Sequence, residues 1–439
     1  MPDDLQQFVD AVTHADVDGI KEILSRSETV RNQIDAPLFS SDMPALVLCR
    51  NNRDVVDVLL DNGADINSKS QWKYGGFGVL HNTSPDMARY FIDRGAKVDL
   101  HAAAALDLME VVERLIREEP SQVNAPGPDG QRPLHFAASP TMVEYLLDKG
   151  AHIDARCADH QSTAAQYATK DPHRCRFLME QGAETDIFMA CVIGDAARVQ
   201  AMIDLQPDVI NAHTPWGFNA DEDGVGYDHP PTPEGTSAHI YLWTLGVNVT
   251  PHMVALKHGH EDVHHLLVVN SSPLRQMMDA CVRGDSEAEE RILTAHPGMD
   301  RQVSVAEAGV MGGRGLYEYH FEKQEGASGA VRTMVDAGFP LTMKAEMGAT
   351  PLHWACWYGA EDATKNLLDF GAPLEIKDDT VDSTPLQWAV HGLIHGHHSY
   401  GGHLKIVHDL LAAGADAGEV SIPSGNREID AMVGEYQKV

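Results

Sequence analysis

The sequence predicts an all-α solenoid of about twelve helix–turn–helix units with insertions. Two observations predict it. The stretch from Thr350 to Leu374, TPLHWACWYGAEDATKNLLDFGAPL, reads as one complete two-helix unit. A Gly-Ala closing turn then recurs at Gly63, Gly95, Gly150, Gly182, Gly371 and Gly414, with a Gly-Phe version at Gly338. The intervals 63 to 95 and 150 to 182 are 32 residues, and 338 to 371 is 33. A fixed period of this length marks a repeat architecture. A helix pair this small cannot bury its own apolar face, so each unit needs neighbours.

Within the 350–374 unit, Pro351 sits in the first helical turn, where a missing N–H costs nothing. Leu352, Trp354, Ala355 and Cys356 form the packed side of the first helix, which Gly359 ends. Ala363, Leu367 and Leu368 give the second helix its apolar stripe, and Gly371 supplies the left-handed closing turn. This order resembles the ankyrin family, whose repeat runs T-P-L-H-x-A-A-x-x-G-H, then a leucine-pair helix and G-A-D. The resemblance implies inner and outer helices stacked on one core, with turn loops along one edge. It also implies a recognition function.

In chain order, the first unit, roughly Leu5 to Ala36, is imperfect and polar, as suits a cap. The gap from Gly95 to Gly150 holds HAAAALDLMEVVERLIREEPSQVNA, where a Pro-containing turn replaces Gly-Ala; VQAMIDLQPDVINA and RILTAHPGMD end the same way. The units around Leu80 and Leu134 are short, and Ser84-Pro85 and Ser139-Pro140 start their second helices, which predicts a stubby inner helix in each. Between Asn211 and Thr250 the pattern lapses into a Gly/Pro/Asp-rich insertion with an apolar, aromatic end. The last clear unit starts STPLQWAVHG and carries extra residues within HGLIHGHHSYGGH. This insertion resembles one in the terminal repeat of some large bacterial ankyrin proteins. The expected organisation is therefore repeats over 1–214, a non-repeat insertion over 215–250, repeats over 251–418 with a His-rich insertion at 391–403, and a C-terminal cap over 419–439.

Lys plus Arg total 33 against 65 Asp plus Glu, a formal charge of −32. Such a surface repels phosphate backbones, which excludes nucleic acid and favours a basic partner. No basic-then-apolar leader opens the chain and no long apolar run crosses it, so neither a secretory signal nor a membrane span is expected. Cys191, Cys281 and Cys356 occupy the second Ala of the repeat pattern as small hydrophobes. Free thiols and a cytoplasmic location follow.

Two histidine clusters invite a metal reading. His260 to His264 spells H-E-x-x-H, which on a helix puts two imidazoles on one face with a glutamate base. The repeat register gives a plainer account: TPHMVALKHGHEDVHHLL aligns with the family pattern, His260 becomes the turn histidine that caps the second helix, and His264 faces solvent. His391, His395 and His398 share one face if the helix after Trp388 continues, which makes them the metal candidates. Glycines at 392, 396, 401 and 402 favour a polar loop instead, and no metal or cofactor is assigned. His252 stands where the family has Leu and suits a hydrogen-bonded core histidine.

By resemblance, the two positions before each turn glycine point into the concave groove. They are Lys257 and His258, Val282 and Arg283, Trp357 and Tyr358, and His391 with Gly392. Trp354 and Trp388 follow the family histidine and read as packing residues. The leading expectation is recognition of a protein partner through this groove. The alternative is a small-polar-ligand site or enzyme whose pocket forms where the 211–250 insertion, bringing Tyr241 and Trp243, and the 391–403 insertion close over the C-terminal groove.

Overall fold

The computed structural model describes residues 3–212, 214, 219–220, 227–228, 240–246, 249–297, 299, 332, 334–344, 346–395 and 401–437. Helices are their dominant regular structure. Among the described residues the only strands are the two-residue pair Asn219–Ala220 and Tyr227–Asp228, antiparallel. The count of about twelve units includes 300–331, which lie outside the described residues.

The chain forms two compact units. The first is Met1–Met189 with Phe218–Thr232 and Ala238–Thr244; the second is Ala190–Gly217 with Pro233–Ser237 and Leu245–Val439. In the first, after the near-equal pair Asp3–Thr13 and Val17–Arg26, short inner helices alternate with longer outer ones. Ala45–Leu48 precedes Arg53–Asp61, Leu100–Ala105 precedes Met109–Glu118, Pro133–Phe136 precedes Pro140–Asp148, and Ala164–Tyr167 precedes Pro172–Glu180. Ser84 and Ser139 each accept from the backbone N–H three residues on, with proline at the first helical position. That cap–proline pair fixes where each outer helix starts and leaves little chain for an inner one. Pro133–Phe136 is a single turn, and the residues around Leu80 form turns with no helix. Ala45–Leu48 and Ala164–Tyr167 are equally short, which the sequence pattern does not signal.

The second unit pairs Pro251–Lys257 with Glu261–Val269, Pro273–Arg283 with Ser286–Ala295, Pro351–Tyr358 with Glu361–Asp369, and Pro385–His395 with His403–Ala412. Arg427–Tyr436 closes it, burying Ile429 and Val433. The Pro-containing endings are single 3-10 turns, Pro120–Asn124 and Pro207–Asn211. Gly371 closes its helix with a φ of +79°, which an L side chain rarely adopts.

The histidine of each T-P-L-H-like segment links one repeat to the next. His135 Nδ1 accepts the Arg132 N–H while Nε2 lies 3.1 Å from the Ser162 carbonyl. His353 does the same between the Thr350 N–H and the Ser383 carbonyl, at 3.1 and 3.0 Å. His81 takes the Gly78 N–H and reaches Asp99, and His101 reaches the Ala125 carbonyl. An Nδ1 that accepts is unprotonated, so His81, His135 and His353 are neutral rings donating from Nε2. Burial pushes the His135 pKa down to about 4 and lowers that of His353.

Within the second unit the repeat register runs straight across the insertion. The His260 ring bonds the Val192 carbonyl at 3.1 Å and Arg275 bonds the Ile210 carbonyl at 3.2 Å. Thr214 joins the two ends of the excursion: its N–H donates to Val249 O, its hydroxyl donates to Gly246 O, and that hydroxyl accepts the Val249 N–H.

Leu367 is buried in the core of the second unit, whereas Leu368 packs against that core only in part. Leu367→Ala should cost about 2–5 kcal/mol in denaturant unfolding, and Leu368→Ala clearly less. Equal effects would show that the stripe faces elsewhere.

Candidate functional site

In the second unit, the inner helices Pro351–Tyr358 and Pro385–His395 lie side by side. Gly392 allows their close approach, since a Cβ there would sit 2.4 Å from the Trp357 carbonyl oxygen. That same oxygen accepts from His403 Nε2 at 2.9 Å. Trp354 and Trp388 are buried against one another, edge to face at 5.1 Å, and the Trp388 indole donates to Asp378 at 3.0 Å. Both are packing residues. Half-buried Trp357 contacts Trp388 and stacks on His391, with ring centres 5.5 Å apart; His391 contacts His395 at 4.4 Å. His391 and His395 are exposed. Burial, then the nearby His395, lowers the His391 pKa. A ladder of rings thus runs from core to surface. His398 lies outside the described residues. Tyr358 is a correction to the groove reading: it is buried and stacks on Trp354, because the helix turns it inward.

Lys257 is exposed and donates to the Leu245 carbonyl. His258 is half-buried, with its pKa lowered by burial and then by Lys257. Arg283 pairs with Glu261 at 3.0 Å and donates to His264 Nδ1 at 3.1 Å. His264 does not face solvent. It is buried, with Nε2 2.9 Å from Asp279. Nor does the His260 side chain cap its helix; its ring turns back to Val192. Both imidazoles of H-E-x-x-H are therefore occupied by protein groups. His252 is a core histidine: Ser271 gives its hydroxyl proton to Leu267 O, so its Oγ accepts from His252 Nε2 at 2.9 Å.

Tyr241 and Trp243 belong to the first unit, whereas the Trp357–His391 ladder belongs to the second. Tyr241 is fully buried, bonded to Asp186 at 2.6 Å and packed on Phe188, because a phenol on this apolar run finds a socket and a buried acceptor there. Trp243 is 43% exposed and meets His160 edge to face at 4.5 Å. It lines a cleft of about 370 Å³ with Ser41, Arg50, Trp72, Phe77, Asp129 and Asp159.

Asp129, Asp159 and His160 bring ligand atoms within 4.8 Å of one another. Among the described residues they form the group of three with metal-ligating side chains. Asp129 accepts from the Trp72 indole and from Gln131, which also donates to the Tyr167 hydroxyl at 3.3 Å; that hydroxyl lies 3.0 Å from His160 Nδ1. Burial, then the Asp159 charge, pushes the Asp129 pKa up to about 7, and burial raises Asp159 to about 6. Asp159 in turn lies 3.3 Å from His160 Nδ1, and ligand atoms so grouped have the spacing of a metal site.

Residues 100–189 match the family model for ankyrin repeats in three copies, and residues 347–379 match that for a single ankyrin repeat. The chain carries ankyrin repeats. Such repeats are in general protein–protein interaction modules. Among the described residues no helix is long and apolar enough to cross a membrane.

Sequence reasoning passed over Asp129, Asp159, His160 and Trp72. Asp129-Gly130 reads as an ordinary ankyrin turn, which hides its chemistry. The available signal was register: Asp129 and His160 each stand four residues before the first residue of an inner helix, Pro133 and Ala164, so successive turns present them side by side.

Protein purified without metal-affinity resin should contain no stoichiometric zinc, and Glu261→Gln should leave fold and zinc content unchanged; about one equivalent lost in His264→Ala would contradict this. The acidic pair gives a second expectation. With folded pKa values raised above 3.8, the folded chain holds protons that the unfolded chain releases, so stability is lost as pH rises towards 7. Asp129→Asn should therefore stabilise at pH 8 by about 1–2 kcal/mol, discounted for partial exposure, and have no effect at pH 4 in thermal melts.

Proposed function

We propose that this chain is a recognition protein that binds a protein partner through the inner-helix surface of its C-terminal repeats. The observation that carries this reading is the Trp357–His391–His395 ladder. Aromatic side chains on rigid helices bury large area for few rotors, the composition of binding hot spots. Arg283, His258 and Lys257 supply polar contacts on neighbouring repeats. The net charge of −32 selects a partner with a basic surface and disfavours nucleic acid. The cytoplasm is the proposed compartment, since none of the six cysteines forms a disulfide. The small-ligand reading has a specific observation behind it only in the first unit, where Asp129 and Asp159 flank an aromatic cleft.

The test compares proteins captured from cell extract by immobilised full-length chain and by variants. Trp357→Ala and His391→Ala should each weaken capture of the same partner about tenfold or more. Lys97→Ala and Arg89→Ala, exposed in the first unit, should leave capture unchanged. Capture that survives both C-terminal changes would place the binding surface elsewhere.

A further inference from the structure

We propose that the inner-helix surface around Asp186 in the first unit is a peptide-reading site for a tyrosine followed two residues later by a tryptophan, closed in this chain by its own residues 240–244. The inference is independent of partner binding at the C-terminal repeats, which belong to the other unit.

Residues 240–244 come from the segment where the repeat pattern lapses, yet they pack on the inner helix Ala164–Tyr167 and the turn Ala168–Lys170. Tyr241–Thr244 is a single helical turn, and of residues 240–244 only Ile240 and Tyr241 are buried. The phenol makes the deepest contact. Its ring meets Phe188 at 5.4 Å and its hydroxyl donates to Asp186 Oδ2 at 2.6 Å. The Ile240 N–H donates to Ser162 Oγ at 3.4 Å, and the Thr169 and Thr244 hydroxyls lie 2.7 Å apart. Trp243 meets His160 edge to face at 4.5 Å. One phenol, one indole and one main-chain N–H are thus read together.

The first-unit groups that hold the segment by these hydrogen bonds keep partners without it. Asp186 also accepts from Gln166 Nε2 at 3.2 Å and from the Met189 N–H at 3.0 Å. Ser162 donates to the His160 carbonyl at 2.8 Å, and Thr169 donates to the Gln166 carbonyl at 2.9 Å. Departure of residues 240–244 therefore leaves Asp186, Ser162 and Thr169 satisfied, so the site is preformed rather than made by its occupant. Tethering holds such an occupant at an effective concentration on the order of millimolar, and a free peptide must outbid it. Asp186 sets the specificity. It rewards a phenol over a phenyl by one hydrogen bond, and at 2.6 Å it leaves no room for a phosphate ester.

Fluorescence anisotropy of a labelled peptide copying residues 238–246, AHIYLWTLG, tests the proposal on the full-length chain. The Tyr241→Ala chain, whose own segment has lost its main contact, should bind the peptide one to one and about tenfold or more tighter than the unsubstituted chain does. Tyr241→Phe or Trp243→Ala made in the peptide should each weaken binding about tenfold, and phosphorylation of its tyrosine should abolish binding. If the Tyr241→Ala chain does not fold, Tyr241→Phe, which keeps the ring, takes its place with the same order of affinities. No peptide binding at millimolar concentration, equal affinity for substituted and unsubstituted chains, or a Tyr241→Phe peptide bound as tightly as the parent would each overturn the proposal. Failure of the Tyr241→Phe chain to fold would also overturn it, making Tyr241 a fixed part of the unit. Dimers of the unsubstituted chain that the peptide disperses would overturn it in favour of a second copy as the occupant.

Discussion

The repeat stack depends on a neutral imidazole used at both ends. In His135 and His353, Nδ1 takes a backbone N–H at the start of its own helix, and Nε2 gives a proton to a carbonyl of the next repeat's turn. One side chain thus caps a helix and ties adjacent repeats, and only an uncharged ring serves both roles. Its burial enforces that charge state, since an imidazolium in the same place would lose an acceptor and gain a desolvated charge. Where the tie reaches Asp99 instead, the donor comes from His81 and the acceptor from a side chain that also caps the following helix.

These ties place the turns of successive repeats in register, and the turns are where chemistry collects in the first unit. Asp129 and His160 are brought together because their two repeats are pinned by His135 to Ser162, two residues past His160. In the second unit the inner helices carry the functional candidates instead. Gly392 lets those helices approach until Trp357 and His391 stack. Each surface is a product of packing distance between neighbours rather than of any one repeat.

The solenoid was legible because its signals are periodic and local: the closing glycines, the cap–proline pairs and the leucine stripe. The candidate sites were less so. Family register assigns Trp357 and Tyr358 alike to the groove, but adjacent helical residues point about 100° apart, and Tyr358 is turned into the core. His264 looked solvent-facing because its partners, Asp279 and Arg283, come from the following repeat. Tyr241 and Trp243 could not be assigned to a unit, because an aperiodic segment carries no register. Contacts across repeats decide such cases, and one sequence does not display them.

Thr214 and its bonds to Gly246 and Val249 close the excursion at its base, while the helices on either side stay bonded to one another through His260 and Arg275. The cost of closing a loop grows only slowly with its length. The bonds that hold the second unit's repeats together therefore do not run through the excursion, and the number of residues between Thr214 and Ile240 can change at little cost. Trp243, a wall of the first-unit cleft, follows Ile240 and Tyr241, which are buried in that unit. A change in chain length before Ile240 would leave the repeats in place, whereas a change at Tyr241 would reach the first unit's core.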